Sequence, residues 1–276
     1  MSDQAEKLIS FLRPLCGSGA ALAFSGGVDS CLLLALLKKM QQEKTFPLMV
    51  LNAVTPLQGA EDLENVKKMA DWSGLAVKTV FCDVFALPEV KNNSRSRCYF
   101  CKKYIFEKML GYAAKEGITH ILEGTHADDL HLYRPGRKAL AELGVISPFA
   151  ELGISKKEIR QMAAALDVPT ADRPSSPCLA TRFDYGVELE EEALRQVGEG
   201  ERFLRTLLPE PTDLRLRVQE KTARIEVSES CFHIMLEHRA KIRRRLQELG
   251  FEKVTLDLAG FLSGSFDKNS KEEKNV

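Results

Sequence analysis

The sequence predicts an α/β protein: a doubly wound parallel sheet, followed by a smaller C-terminal α+β domain. Three observations carry that expectation. Short apolar runs alternate with helix-length stretches at a spacing that suits strand–helix–strand units. The first run, Ala20-Ala21-Leu22-Ala23-Phe24, opens into Ser25-Gly26-Gly27-Val28-Asp29-Ser30. Cys31-Leu32-Leu33-Leu34-Ala35-Leu36-Leu37 follows with no helix breaker, so the stretch reads as strand, tight turn and helix. From Leu189 onward the order becomes more mixed, and the expected domains are residues 1–187 and 188–276.

Each element follows from its residues. A short amphipathic helix covers about residues 5–15, and Cys16-Gly17-Ser18-Gly19 resets the chain for the first strand. Residues 46–54 are a second buried strand, 61–73 a polar-faced helix ended by Gly74, 76–81 a third strand and 120–125 a fourth. In such a sheet a ligand lies at the carboxyl ends of the strands, where the glycine loop sits. Residues 91–97 are a polar loop, and Cys98 opens a helix running to about Lys115. After the fourth strand come His126-Ala127-Asp128-Asp129, a basic loop Tyr133-Arg134-Pro135-Gly136-Arg137, and a short helix over 138–143. Ser155 caps a helix ending near Leu166, with Lys156, Lys157 and Glu158 on its solvent side. Residues 168–186 are broken by Pro169, Pro174, Pro177 and Gly186, and a loop of that length inside a compact enzyme points to function. The second unit reads as a helix (189–207), strands (213–218 and 222–227), a basic helix (238–249) and a last strand (253–258). The polar tail, 267–276, is expected to fray.

Composition narrows the class. Of 276 residues, 44% are hydrophobic and 28% charged, as in an ordinary soluble globular protein. Lys+Arg and Asp+Glu both number 39, so no global field draws the chain to nucleic acid or a membrane surface. The charged start, Met1-Ser2-Asp3-Gln4-Ala5-Glu6-Lys7, precedes no long apolar core, which argues against a signal peptide and a membrane span. Seven cysteines without an export signal argue for a reducing cytoplasm, where thiols serve as ligands or nucleophiles.

The glycine loop carries the first chemistry. Adjacent glycines let backbone N–H groups converge, and the helix behind adds the partial positive charge of its N-terminus, so the implied ligand is a phosphate chain. The loop lacks the Lys-Ser/Thr ending of a Walker loop. Ser25-Gly26-Gly27-Val28-Asp29-Ser30 resembles the SGGxDS signature of the PP-loop ATP pyrophosphatase superfamily. That resemblance implies ATP cleaved between its α and β phosphates, pyrophosphate held by Ser25, Gly26, Gly27 and Ser30, and Asp29 helping to place Mg2+. The alternative for Asp29 is a helix N-cap.

Three cysteines stand apart. Cys98 and Cys101 lie three residues apart at a helix start, on one face, beside Arg97, Lys102 and Lys103, which favour thiolate. Cys178 lies in the irregular stretch Pro174-Ser175-Ser176-Pro177-Cys178-Leu179-Ala180-Thr181-Arg182, with Arg173 and Arg182 as cationic neighbours. Cys16, Cys31, Cys82 and Cys231 have apolar neighbours and read as core residues. A lone CxxC could be a redox pair, half a zinc site or two ordinary thiols. His120, His126 and His131 offer no paired zinc spacing, whereas three thiolates suit a 4Fe-4S cluster with one open iron. Asp128 and Asp129 suit a hard cation or cap the next segment. Arg134, Arg137 and Arg182 could hold carboxylate or phosphate, surface solvation being the default for the first two. Arg215 and Arg217 alternate along a strand, and two cations on one side call for an anion between them. The run from Arg239 to Arg245 reads as a solvated helix face.

Taken together, these segments are similar to the LarE family. The resemblance rests on the glycine loop, Arg97-Cys98-Tyr99-Phe100-Cys101-Lys102, Glu123-Gly124-Thr125-His126-Ala127-Asp128-Asp129, Tyr133-Arg134-Pro135-Gly136-Arg137 and Pro177-Cys178-Leu179-Ala180-Thr181-Arg182. It extends to Leu214-Arg215-Leu216-Arg217-Val218, Ala223-Arg224-Ile225-Glu226-Val227 and Gly260-Phe261-Leu262-Ser263-Gly264-Ser265, so it runs from near residue 20 to 266. It implies ATP-dependent sulfur insertion into pyridinium-3,5-biscarboxylic acid mononucleotide, a step toward the nickel-pincer nucleotide cofactor. Cys98, Cys101 and Cys178 together imply the kind whose 4Fe-4S cluster carries the sulfur. The other kind sacrifices the sulfur of a single cysteine at the position of Cys178. Glu201 joins Arg215 and Arg217 by the family pattern, and His126 stands where asparagine is more usual. The implied partners are a small anionic nucleotide substrate and further copies of the chain in a homo-oligomer.

Two rivals differ in class. A PP-loop tRNA thiolase usually carries zinc-ribbon CxxC pairs or a basic RNA surface, and the formal net charge of +0 counts against it, so nucleic acid is not expected as a partner. A non-catalytic ATP-binding module would have no need for an exposed, activated thiol at Cys178.

Overall fold

The computed structural model describes residues 3–17, 19–131 and 134–262. Ser18, Tyr133, the motif residues Ser263, Gly264 and Ser265, and the tail 267–276 lie outside the described residues. The chain divides into two compact units, Met1–Ser176 and Pro177–Val276. No helix among the described residues is long and apolar enough to cross a membrane.

The first unit runs α1 (Asp3–Leu15), β1 (Ala20–Ala23), α2 (Val28–Glu43), β2 (Leu48–Val54), α3 (Ala60–Ser73) and β3 (Val77–Phe81). It continues with α4 (Pro88–Lys91), α5 (Arg97–Lys115), β4 (Ile121–Leu122), α6 (Gly136–Glu142), α7 (Pro148–Glu151) and α8 (Lys156–Ala165). The four strands form one parallel sheet in the order β3-β2-β1-β4, as the alternating pattern predicts. The central strand β1 is small and apolar because both its faces are covered. Leu32, Leu33, Leu34, Leu36 and Leu37 of α2 are fully buried, and their burial contributes on the order of 10 kcal/mol. That apolar anchor fixes the helix whose first turn meets the glycine loop.

One local expectation is refined and another changes. Residues 91–97 are a polar loop, as expected, built from turns. Asn93 and Arg97 are buried, because a chain of turns (Asn93 N to Val90 O, Ser94 N to Glu89 O, Arg97 N to Ser94 O) folds the segment inward. Ser155 does cap α8, through a full capping box with Glu158, but Lys156 does not lie free on the solvent side. Its ammonium group is held by a distant carboxylate, described below.

The second unit carries a 3-10 turn (Leu179–Arg182), α9 (Glu191–Arg205), β5 (Leu214–Gln219), β6 (Thr222–Val227), α10 (Phe232–Glu237), α11 (Arg239–Glu248) and β7 (Lys253–Leu256). β5 and β6 form an antiparallel hairpin, and β7 pairs parallel to β6 after the helical crossover through α10 and α11. Residues 177–187 group with this unit, because Phe183 bridges to Val218 and Arg182 pairs with Glu201. The expected boundary after 187 therefore lies beyond the point where the chain changes unit, and Cys178 belongs to the second.

Candidate active site

The glycine loop is a braced turn between β1 and α2. Gly26 has φ +74, and a Cβ there would meet Asn65 Nδ2 at 3.0 Å and Val66 Cγ2 at 3.1 Å, so the position needs glycine for both conformation and space. Asn65 of α3 donates to Gly26 O at 2.5 Å, and the buried Asn52 of β2 donates to Phe24 O at 2.7 Å. Ser30 is buried; its hydroxyl accepts from Ser25 N at 3.3 Å and donates to Gly27 O at 3.0 Å. Ser30 is thus an internal brace, while Ser25 is exposed. Gly27 is the N-cap and makes no side-chain cap bond, so Asp29 sits inside the first turn and is not the cap. Cys31 N is the first amide bonded back along the helix, to Gly27 O at 2.9 Å. The amides before it are the ones a helix start leaves for a ligand.

Asp29 finds its partner far along the chain. Lys156 Nζ lies 2.6 and 2.7 Å from its two carboxylate oxygens, both side chains being about one-quarter exposed. The same residue's backbone N donates to Asp128 Oδ2 at 2.8 Å, so Asp128 supports the start of α8. Asp129 pairs with Arg134 at 3.1 Å and lies 3.5 Å from His126 Nε2. Arg137 donates to Leu130 O at 3.2 Å. The two aspartates are therefore brought near the glycine loop's helix, each with a partner. No three His, Cys, Asp or Glu side chains among the described residues gather closely enough to hold a metal ion.

The end of β4 completes this edge. A Cβ on Gly124 would lie 2.7 Å from Asp29 Cβ, so only glycine lets the strand end approach the loop's helix. Glu123 is buried and accepts from Thr125 N (2.8 Å), Thr125 Oγ1 (2.9 Å) and Ser147 Oγ (2.5 Å), with Lys102 Nζ at 3.9 Å. Sequence reasoning passed over Asn52 and Asn65, placed Lys156 on the solvent side, and named Glu123 only within a family motif. A polar Asn52 inside an apolar strand was the one visible signal among them.

None of the seven cysteines forms a disulfide. Cys16, Cys31, Cys82 and Cys231 are buried, as expected, and burial pushes the Cys16 and Cys31 thiols up to about 11. Cys98 and Cys101 are half-buried on the first turn of α5, and Cys178 is half-buried just before its 3-10 turn. The cations expected to favour thiolate are engaged elsewhere: Lys102 with Glu123, Lys103 with Tyr99 and Glu142, Arg182 with Glu201.

In the second unit the arginines meet carboxylates of the chain itself. Arg182 is buried and forms a two-pronged pair with Glu201 at 2.9 and 3.0 Å, with Leu216 N also donating to Glu201 at 2.8 Å. Arg217, 1% exposed, pairs with the buried Glu226 at 3.0 Å and donates to Thr181 O. Carboxylates of the chain itself thus lie between the arginines, and Arg182, Arg217 and Glu201 are buried. Arg215 differs. It makes no ion pair among the described residues, stacks on the Phe261 ring at 4.7 Å, and is lowered to about 10 by burial and then by Arg217 and Arg182. Among the described residues Arg182 pairs with Glu201, Arg217 and Arg224 pair with Glu226, and Arg224 also pairs with Asp257.

The larger cavity, about 540 Å³ in the second unit, is lined by Asp184, Glu188, Glu190 and Glu220 and would repel an anionic substrate. A second, of about 250 Å³, is bounded by Thr125, Arg137, Ser147 and Glu151 beside the end of β4.

The PP-loop domain family matches residues 1–132, the part that holds the glycine loop. The chain is 36% identical over 270 residues to an uncharacterized protein of Synechocystis sp., covering 97% of this chain and 98% of the relative. It is 33% identical over 264 residues to the pyridinium-3,5-bisthiocarboxylic acid mononucleotide synthase of Lactiplantibacillus plantarum, covering 96% and 94%. An uncharacterized protein of Methanocaldococcus jannaschii is 32% identical over 237 residues, covering 86% and 88%. A braced PP-loop and end-to-end likeness to that synthase give one conclusion: the chain belongs to the LarE family of PP-loop proteins.

Proposed function

We propose that the protein is an ATP-dependent sulfur transferase that adenylates a carboxylate of pyridinium-3,5-biscarboxylic acid mononucleotide and replaces its oxygen with sulfur, for a nickel-pincer nucleotide cofactor. The observation that carries this reading is 33% identity over nearly the whole chain to a synthase named for the bisthiocarboxylic product. The braced loop supports the ATP half of the reaction. Seven cysteines, none of them in a disulfide, suit work in a reducing cytoplasm.

In this reading the exposed edge of the loop, with Ser25, Gly27 and the first amides of α2, receives the β and γ phosphates. A substrate carboxylate oxygen attacks the α phosphorus, the bond to the β-phosphate oxygen breaks, and pyrophosphate leaves with the electron pair. A sulfur nucleophile then attacks the activated carbonyl carbon, and AMP leaves with its oxygen, giving the thiocarboxylate. Asp29, Asp128 and Asp129 are the carboxylates proposed for Mg2+, a hard cation that would neutralise phosphate charge; each is held by its own partner, so among the described residues they do not gather into one site. Lys156 lies ready to take over phosphate contacts if Asp29 turns to the metal. Cys98 and Cys101, half-buried on one helical turn, carry thiols of the kind that ligate iron, and the family resemblance adds Cys178 to them as the third ligand of a 4Fe-4S cluster. Such a cluster would supply the sulfide. Arg134 and Arg215 are proposed to hold substrate anions.

The test supplies ATP, Mg2+, a sulfide source and the pyridinium nucleotide to anaerobically prepared protein. One AMP and one pyrophosphate should form per sulfur incorporated, and the product should gain the sulfur-for-oxygen mass difference. Thiolated bulk tRNA with an unchanged nucleotide would favour the rival thiolase; ATP bound without turnover would favour the binding module. Arg215→Gln should raise the KM for the nucleotide about tenfold or more, with the ATP KM unchanged, as expected for loss of a charge-assisted bond. Arg215 is the suitable probe, because removing Arg182 or Arg217 would leave a buried carboxylate unpaired.

A further inference from the structure

We infer that Asp62 is a positioning residue, tying the stem of the cysteine-bearing loop to the helix that covers the glycine loop. Asp62 and Asn65 stand three apart in the first turns of α3 and so share a face. Asn65 grips the glycine loop through Gly26 O at 2.5 Å. Asp62 grips the other segment with both oxygens: Oδ1 accepts from Arg173 Nη2 at 2.9 Å and Oδ2 from Ser176 Oγ at 3.1 Å. An acid in the first turn of a helix is favoured by the helix dipole alone, and that role requires no partner. Here both carboxylate oxygens are used on one short segment, Arg173 to Ser176, which ends two residues before Cys178.

The rest of the stem is fixed independently. Arg160 of α8 donates to Ala171 O at 2.6 Å and to Arg173 O at 2.9 Å, and Arg173 N donates to Thr170 O at 3.1 Å. α8 therefore holds the backbone up to Arg173, and Asp62 extends the grip to Ser176. Pro174 and Pro177 restrict the backbone on either side of Ser176. The same helix face thus holds the adenylating loop and the stem of the loop that bears Cys178.

This inference rests on the proposed role of Cys178 in sulfur delivery, and the test separates the two. Asp62→Ala should keep substrate-dependent ATP–pyrophosphate exchange within about twofold of wild type. Its thiocarboxylate formation should fall about tenfold or more in kcat, with the ATP KM unchanged. Amide hydrogen exchange at Ser175, Ser176 and Cys178 should speed up about tenfold, with the amides of α3 unaffected. Asp62→Arg with Arg173→Asp should recover most of the transfer lost in Asp62→Arg alone. A parallel fall of both half-reactions with a lower Tm, or no rescue by the double variant, overturns the inference. If wild-type protein makes no thiocarboxylate at all, the proposed function falls. The exchange measurement then still decides the latch, and unchanged exchange at Ser175 to Cys178 overturns it.

Discussion

Cys178→Ala is expected to abolish sulfur transfer, lowering it by at least about a thousandfold, while ATP–pyrophosphate exchange stays close to wild type. The expectation follows from how the residue is held. The Cys178 carbonyl accepts from Thr181 N at 3.1 Å and Thr181 Oγ1 at 2.9 Å, and Arg182 reaches Pro177 O at 2.9 Å. The backbone is pinned and the thiol is the group left for chemistry. Alanine preserves these backbone bonds, so the lost function is that of sulfur alone. A parallel loss of exchange would mean that Cys178 shapes the fold, and the proposed division of labour would fail.

The same thiol separates the two sources of sulfur. If a cluster carries it, anaerobically reconstituted wild-type protein should show a broad visible band, and Cys98→Ala should lose both band and transfer. If Cys178 surrenders its own sulfur, Cys98→Ala should retain transfer, and the wild-type mass should fall by one H2S after a single turnover with ATP. That route balances: the thiolate displaces AMP to form a thioester, and loss of the Cα proton with C–S cleavage leaves dehydroalanine and the thiocarboxylate. The sequence motifs favour the first source, since Cys98 and Cys101 share one turn of α5.

Much of the first unit was legible because its signals are local. The loop between a small apolar strand and an unbroken leucine run, the Ser155–Glu158 capping box and the stop at Gly74 each depend on residues a few positions apart. Lys156 was misplaced because its partner is 127 residues away, and nothing in Ser155-Lys156-Lys157-Glu158 marks which lysine turns inward. Asp62 and Arg173, 111 residues apart, were hidden for the same reason. Arg215 and Arg217 show how far a strand pattern alone can be read. The strand period correctly put both on one side, but the register sets Arg215 opposite Glu226 and Arg217 opposite Arg224. The required anion was already in the sequence, on the next strand.

Lys156→Met and Asp29→Asn should each lower kcat/KM for ATP–pyrophosphate exchange by about a hundredfold or more, and the double variant should be little worse than either single one. The pair bridges two elements, with Nζ at 2.6 and 2.7 Å from the carboxylate oxygens and the Lys156 amide on Asp128. As a merely structural pair, about one-quarter exposed on each side, it would be worth about 1 kcal/mol. Its loss would then shift Tm by a few degrees without touching turnover of the folded enzyme. A hundredfold loss corresponds to about 2.7 kcal/mol of transition-state stabilisation, more than that bridge supplies on its own. The size of the effect therefore decides the role. A large, non-additive loss at unchanged Tm means that Asp29 and Lys156 act together on the departing pyrophosphate. A small additive loss that follows Tm would reduce the pair to a strut between α2 and α8, and the cation for the phosphates would have to be sought elsewhere, first at Lys102.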